Sequence, residues 1–215
     1  MKRLIIVCEG QTEQEFCKDV LYSHFLERGI YLSWPTIKKS GGGMVSWSSI
    51  QLQIEQHLRE NSTAVSTLFD FYGLNPKHDF PGWEAASTLE LKEKLSFLET
   101  AMQAAIRPHT HRFIPYLQLH EFEGLLFCSI EAFDTLFEQT ELLDRQRLVD
   151  IIQQYPNPEL INEGRDTAPS KRLQRMIDRY DKVTFGSLLA QEIGLATIRA
   201  RCPRFNAWLT RLESI

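Results

Sequence analysis

Apolar positions along the first half of the chain switch between two periods. Residues 4–8 form a short unbroken apolar run closed by Glu9 and Gly10, the pattern of a buried strand. Thr12 and Glu15 have the spacing of a capping box, and Phe16, Val20, Leu21 and Phe25 then recur at helical spacing up to Gly29. Residues 30–37 alternate loosely around Pro35, which suits an edge or irregular strand. After the break at 40–43, Ile50, Ile54 and Leu58 mark a second amphipathic helix ending near Asn61. Residues 65–71 read as a second strong strand, stopped by Tyr72, Gly73 and the loop 75–83. A longer helix is expected over 84–106 and a third strong strand over 112–119. Strands alternating with helices predict an α/β fold, a mainly parallel sheet of about four strands flanked by helices.

Beyond residue 128 the strand signals stop. Helical patterns cover 132–137, 144–155, 170–181, 185–192 and 203–212, with a loop over 156–169. The other connections are short, so we expect an α/β domain over 1–128 with a helical C-terminal extension over 129–215 packed on it. The 215 residues are 43% hydrophobic, and 13 Phe and 4 Trp supply a core, which excludes a disordered chain. No apolar run approaches the roughly 18–20 residues of a membrane span. The run 4–8 is shorter than the roughly 7–15 residues of a signal-peptide core. Cys8, Cys17, Cys128 and Cys202 form no C-x-x-C pair, and the expected compartment is the cytoplasm.

Each strong strand is apolar until its carboxyl end, where an acid appears: Glu9, Asp70 and Glu121. In an open parallel sheet these ends share one edge, the edge where ligands bind. Glu13 follows Glu9 by four residues at the start of the next helix, and Glu123 follows Glu121 by two. One acid after a strand is an ordinary loop residue. Several in register repel one another unless a cation neutralises them, and an oxygen-only set suits Mg2+ or Mn2+. Such a centre orients water and polarises a phosphoryl oxygen.

Net charge is −4, which by itself gives no argument for nucleic acid. Residues 170–215, however, carry nine Lys/Arg against four Asp/Glu, leaving the remainder strongly acidic. Within 167–175, Pro169 suits a first helical turn, where free amides attract phosphate. Lys171 and Arg172 add charge there, with Arg175 and Arg179 continuing the face; the plain alternative is a solvated basic helix. Lys171 is placed to stabilise charge developing on a phosphoryl group. His109 and His111 lack the further ligands of a zinc site, and residues 38–43 lack P-loop spacing. His120 precedes Glu121 at the same edge, and the four tryptophans are scattered, as core residues are.

The segments VCEGQTE, LFDFYG, HEFEG and TAPSKR, in that order, resemble a Toprim-like family catalogued mostly as a domain of unknown function. That family is related to the Toprim nucleases of the overcoming-lysogenization-defect type. The resemblance runs over nearly the whole chain, including the tail CPRFNAWLTRL. It implies that Glu9 and Glu13 form an E-x-x-x-E metal pair and that Asp70 is the first acid of a D-x-D motif. Glu121 or Glu123 would supply the later acid, and Lys171 the downstream basic residue. Tyr72 stands where the second Asp of D-x-D is usual, which removes one ligand. The implied activity is a Mg2+- or Mn2+-dependent nuclease acting on DNA or RNA with water as the nucleophile. An ABC-type ATPase encoded nearby would be its partner in phage defence, and a homodimer is left open. The alternatives are a Toprim-like subunit that binds without catalysis and a phosphohydrolase of small molecules.

Overall fold

The computed structural model describes residues 2–38, 44–162 and 164–215; the glycine-rich break at 40–43 lies outside them. The chain is an α/β protein built on a parallel sheet. Its strands are β1 (Lys2–Cys8), β2 (Ile30–Ser33), β3 (Thr63–Asp70), β4 (Phe113–Ile114) and β5 (Leu117–Gln118). The spatial order is β2-β1-β3-β4, with β5 also pairing with β3, and every pairing is parallel. The alternation of β1 explains its central place. Leu4, Ile6 and Cys8 enter the core on one face of the sheet, while Ile5 and Val7 enter the core on the other.

One layer contains α3 (Trp47–Leu58) and α4 (Leu91–Ala105), whose Ile50, Ile54, Leu95 and Leu98 pack with Val65 and Phe69 of β3. The opposite layer begins with α1 (Gln11–Phe16) and α2 (Tyr22–Leu26), joined by a π-helical turn over Cys17–Leu21. It continues with α5 (Ile130–Leu136), α6 (Arg145–Gln154), α7 (Pro169–Met176), α8 (Lys182–Ile193), α9 (Leu195–Arg201) and α10 (Pro203–Glu213). Phe16, Phe122 and Phe205 meet edge to face in this layer, with centroids 5.1 and 5.9 Å from Phe16. The helical C-terminal part therefore shares one apolar core with the strands. Among the described residues no helix is long and apolar enough to cross a membrane.

Several local expectations need correction. The first helix is entered at Gln11, and Glu13 rather than Glu15 closes its end by accepting the Gly10 N–H at 2.8 Å. It is one run only with the π turn included, and it stops where Gly29 takes φ +72°. The helix expected from residue 84 begins at Leu91, because turns occupy 81–88.

The strand expected over 112–119 is split at Pro115, which has no N–H for the ladder. Thr67 bridges the gap: its Oγ1 accepts the Tyr116 N–H at 2.9 Å and donates to the Tyr116 carbonyl at 3.0 Å. Register survives the interruption, with Ser66 opposite Ile114 and Phe69 opposite Leu117.

In the C-terminal part, α7 ends at Met176, and Arg179 takes φ +52°, so it does not continue the basic face. Helix α9 replaces an expected connection. Two 3-10 turns, Pro158–Leu160 and Arg165–Thr167, order part of the expected loop. Glu159 of the first turn is buried and accepts the N–H groups of Arg204 and Phe205 at 2.9 and 3.1 Å, capping α10. Trp208 of α10 stacks on Tyr116 at 4.5 Å and donates from Nε1 to Ser66 Oγ at 2.9 Å, joining that helix to the sheet.

The four cysteines are buried and reduced, in two contacting pairs. Cys8 and Cys17 have sulfurs 3.8 Å apart, and Cys128 and Cys202 3.6 Å.

Candidate metal centre

The carboxyl ends of β1, β3 and β5 open onto one rim, as their parallel pairing requires. Glu9 is the first residue beyond β1, and its amide continues the ladder by donating to the Leu68 carbonyl at 3.2 Å. Asp70 closes β3. The chain leaves β5 at Gln118 and turns through His120, which takes φ +70° and accepts the Tyr72 N–H at 3.1 Å. Glu121 and Glu123 follow, the latter inside the 3-10 turn Phe122–Leu126.

Backbone amides link these acids in series. Glu9 Oε2 accepts the Asp70 N–H at 3.0 Å, and Asp70 Oδ1 accepts the Phe122 N–H, beside Glu121, at 2.8 Å. Glu121 Oε2 then accepts the Ser170 N–H at 3.0 Å, at the first turn of α7 behind Pro169. Glu9 and Asp70 thus each use one oxygen for a main-chain donor on or beside the next acid, and Glu121 uses one for the start of α7. Gly73 permits this closeness, since a Cβ there would meet Glu9 Oε1 at 2.9 Å.

The electrostatic cost is large. Burial pushes the Asp70 carboxyl well above the usual range, and the charges of Glu13, Glu9, Glu123 and Glu121 push it further. Glu123 is 2% exposed, and its burial raises its pKa to about 7 against the opposing pull of Lys182. Its Oε1 is buried without a hydrogen bond, and Lys182 Nζ stands 3.9 Å away. The buried Tyr180 hydroxyl also lacks a hydrogen-bond partner and lies in the field of Glu123 and Glu121.

The donor chemistry fits a hard divalent cation: every candidate is a carboxylate oxygen, and one of those oxygens is orphaned in the interior. As the side chains stand, no three His, Cys, Asp or Glu among the described residues are grouped to hold an ion together.

The basic residues of α7 face other partners. Lys171 is exposed, and its Nζ donates to Gln174 at 3.1 Å. Arg172 is buried and donates from Nε to the Thr167 carbonyl at 2.6 Å, and Arg175 donates to the Asp166 carbonyl at 2.8 Å. His120 Nδ1 accepts from the Asn162 side-chain amide at 3.1 Å, and burial lowers its pKa against the opposing pull of Glu121. His109 contacts Arg112 at 2.8 Å before β4, at the rim opposite the acids.

Sequence reasoning missed Lys182 and Tyr180. Neither belongs to a motif, and only the packing of α8 on α1 and on the turn Phe122–Leu126 brings that segment to the rim. The one local sign is Asp181, whose side chain accepts the Thr184 N–H at 2.8 Å and fixes where α8 starts.

No curated protein and no solved structure matches the chain. A family model described as a domain of unknown function, DUF4276, matches residues 8–213, from the end of β1 to the end of α10. The acids of the rim, strands β2 to β5 and the helical C-terminal part through α10 all fall within that span, and the chain belongs to the DUF4276 family.

Proposed function

We propose that the protein is a metal-dependent nuclease that hydrolyses phosphodiester bonds of DNA or RNA with Mg2+ or Mn2+. The observation that carries this reading is Asp70: a half-buried acid at the carboxyl rim, burdened by four further carboxylates from separate segments. Such a concentration of charge is stable and useful when a cation joins it. Glu9, Glu13 and Asp70 are the residues that would hold the first ion, and Glu121 with Glu123 would complete a second site. A bound divalent ion supplies charge for a phosphoryl oxygen and acidifies water.

The chain's own groups do the rest. Glu121, tied to the Ser170 amide, would in the alternative to a second metal site serve as the base that takes the proton of the attacking water. Lys171, one residue further on, extends positive charge from the start of α7 for the phosphate, with Arg172 and Arg175 behind it. The Toprim-like resemblance adds the nuclease class and an ABC-type ATPase partner in phage defence, and the four free thiols suit a cytoplasmic setting.

Glu9→Ala and Asp70→Ala test the reading. Each is expected to abolish Mn2+-stimulated cleavage of plasmid or oligonucleotide while circular dichroism stays that of wild type. Equal cleavage by wild type and both variants refutes it.

A second reading draws on Tyr72, which is 43% exposed where a further acid is usual in Toprim proteins, and on the ungrouped state of the acids. In that reading the domain binds without catalysis. It predicts no Mn2+ uptake through Glu9 and Asp70, so metal titration separates the two.

A further inference from the structure

The acidic rim has a cation of its own. Lys182 occupies the first position of α8, held there by the Asp181 cap, and its side chain is 52% exposed with Nζ 3.9 Å from Glu123 Oε1. That distance exceeds a hydrogen bond, so the ammonium offsets charge while leaving the oxygen's ligating capacity unused. Burial works against the charge of this ammonium, but Glu123, Glu13, Asp70 and Glu121 together outweigh it and favour the charged form. Two buried polar atoms in this field, Glu123 Oε1 and the Tyr180 hydroxyl, make no hydrogen bond. A buried oxygen left without a donor is costly, which marks the place as one that a ligand completes.

We propose that Lys182 is the resident counter-ion of the rim, a tethered monovalent cation that a divalent metal displaces when it binds at Glu123. This rests on the metal-dependent reading above and adds how the chain sets its own metal affinity. The half-exposed side chain has solvent on one side into which the ammonium retreats. Displacement thus turns a charge that neutralised acids into one available to an anionic substrate.

The test uses the full chain, with Mn2+ as the probe, in binding measurements by electron paramagnetic resonance and in thermal melts with EDTA or Mn2+. Lys182→Met removes the competing charge and is expected to bind Mn2+ about tenfold more tightly than wild type. Its melting midpoint should be lower in EDTA, and Mn2+ should raise it by more than it raises wild type. Lys182→Arg should behave as wild type. Lys182→Gln repeats the comparison should the methionine variant not fold. A structural role alone would lower the midpoint equally with and without Mn2+, and that result overturns the proposal, as does unchanged or weaker Mn2+ binding. If Mn2+ binds wild type and variant alike, only the role of Lys182 fails. If it binds neither, the metal-dependent reading fails together with it.

Discussion

Glu123 is a carboxyl group whose surroundings favour its neutral form in the folded chain. Its pKa is about 7 in the folded state, raised first by burial, against about 4.3 for an unperturbed glutamate. The folded state therefore binds this proton more tightly than the unfolded state does. The contribution of Glu123 to stability is greatest below the unfolded value and declines as pH rises from about 4.3 to about 7. Chemical denaturation in EDTA should show this decline, on the order of 1 to 3 kcal/mol across the window. Glu123→Gln should flatten it; a wild-type slope in that variant would assign the effect to another acid.

The acids themselves were legible in the sequence, because each ends an apolar run or follows such an end closely. Lys182 and Tyr180 were not, since their meeting with Glu123 depends on where α8 packs, and no periodicity encodes that. Lys171 stood out in the sequence near Pro169, yet its ammonium meets Gln174, one turn further into the helix.

Elements were legible where one period held without interruption. β1, β3, α3 and α10 lie close to their expected places, because their apolar residues face a single layer or alternate cleanly between two. The strand expected to run unbroken over 112–119 is interrupted at Pro115, and the Thr67 hydroxyl answers both main-chain groups of Tyr116 and lets β5 resume in the same register. That compensation comes from a residue about fifty positions away and cannot be read locally. Thr67→Val, which keeps the shape and removes the hydroxyl, leaves those buried groups unanswered. It should cost about 1–3 kcal/mol in urea denaturation. A variant as stable as wild type would mean that the ladder closes without Thr67. Because β5 leads directly into Glu121, metal binding should weaken in the same variant.

At the scale of the molecule, the sheet separates two apolar layers, and the larger one draws on residues from Leu4 to Leu212. The α/β class was evident from the alternation of strands and helices. The particular contacts that fix the C-terminal helices were not, because the clasp from Trp208 to Ser66 and the cap from Glu159 to α10 are long-range. All four thiols lie within the larger layer, where burial and sulfur contact raise Cys8 well above its ordinary range and raise Cys202 as well. A thiol reagent should find none of them in the native protein within minutes and all four once guanidinium unfolds it. Fast modification of any one would show that this layer opens locally.

The concealment of every thiol has a practical corollary. A single cysteine placed at an outward position such as Leu143, which is 60% exposed, becomes the sole attachment point for a spin label or dye, with no native residue needing removal. Paramagnetic broadening between that label and added Mn2+ would then locate the ion relative to a known point on the surface.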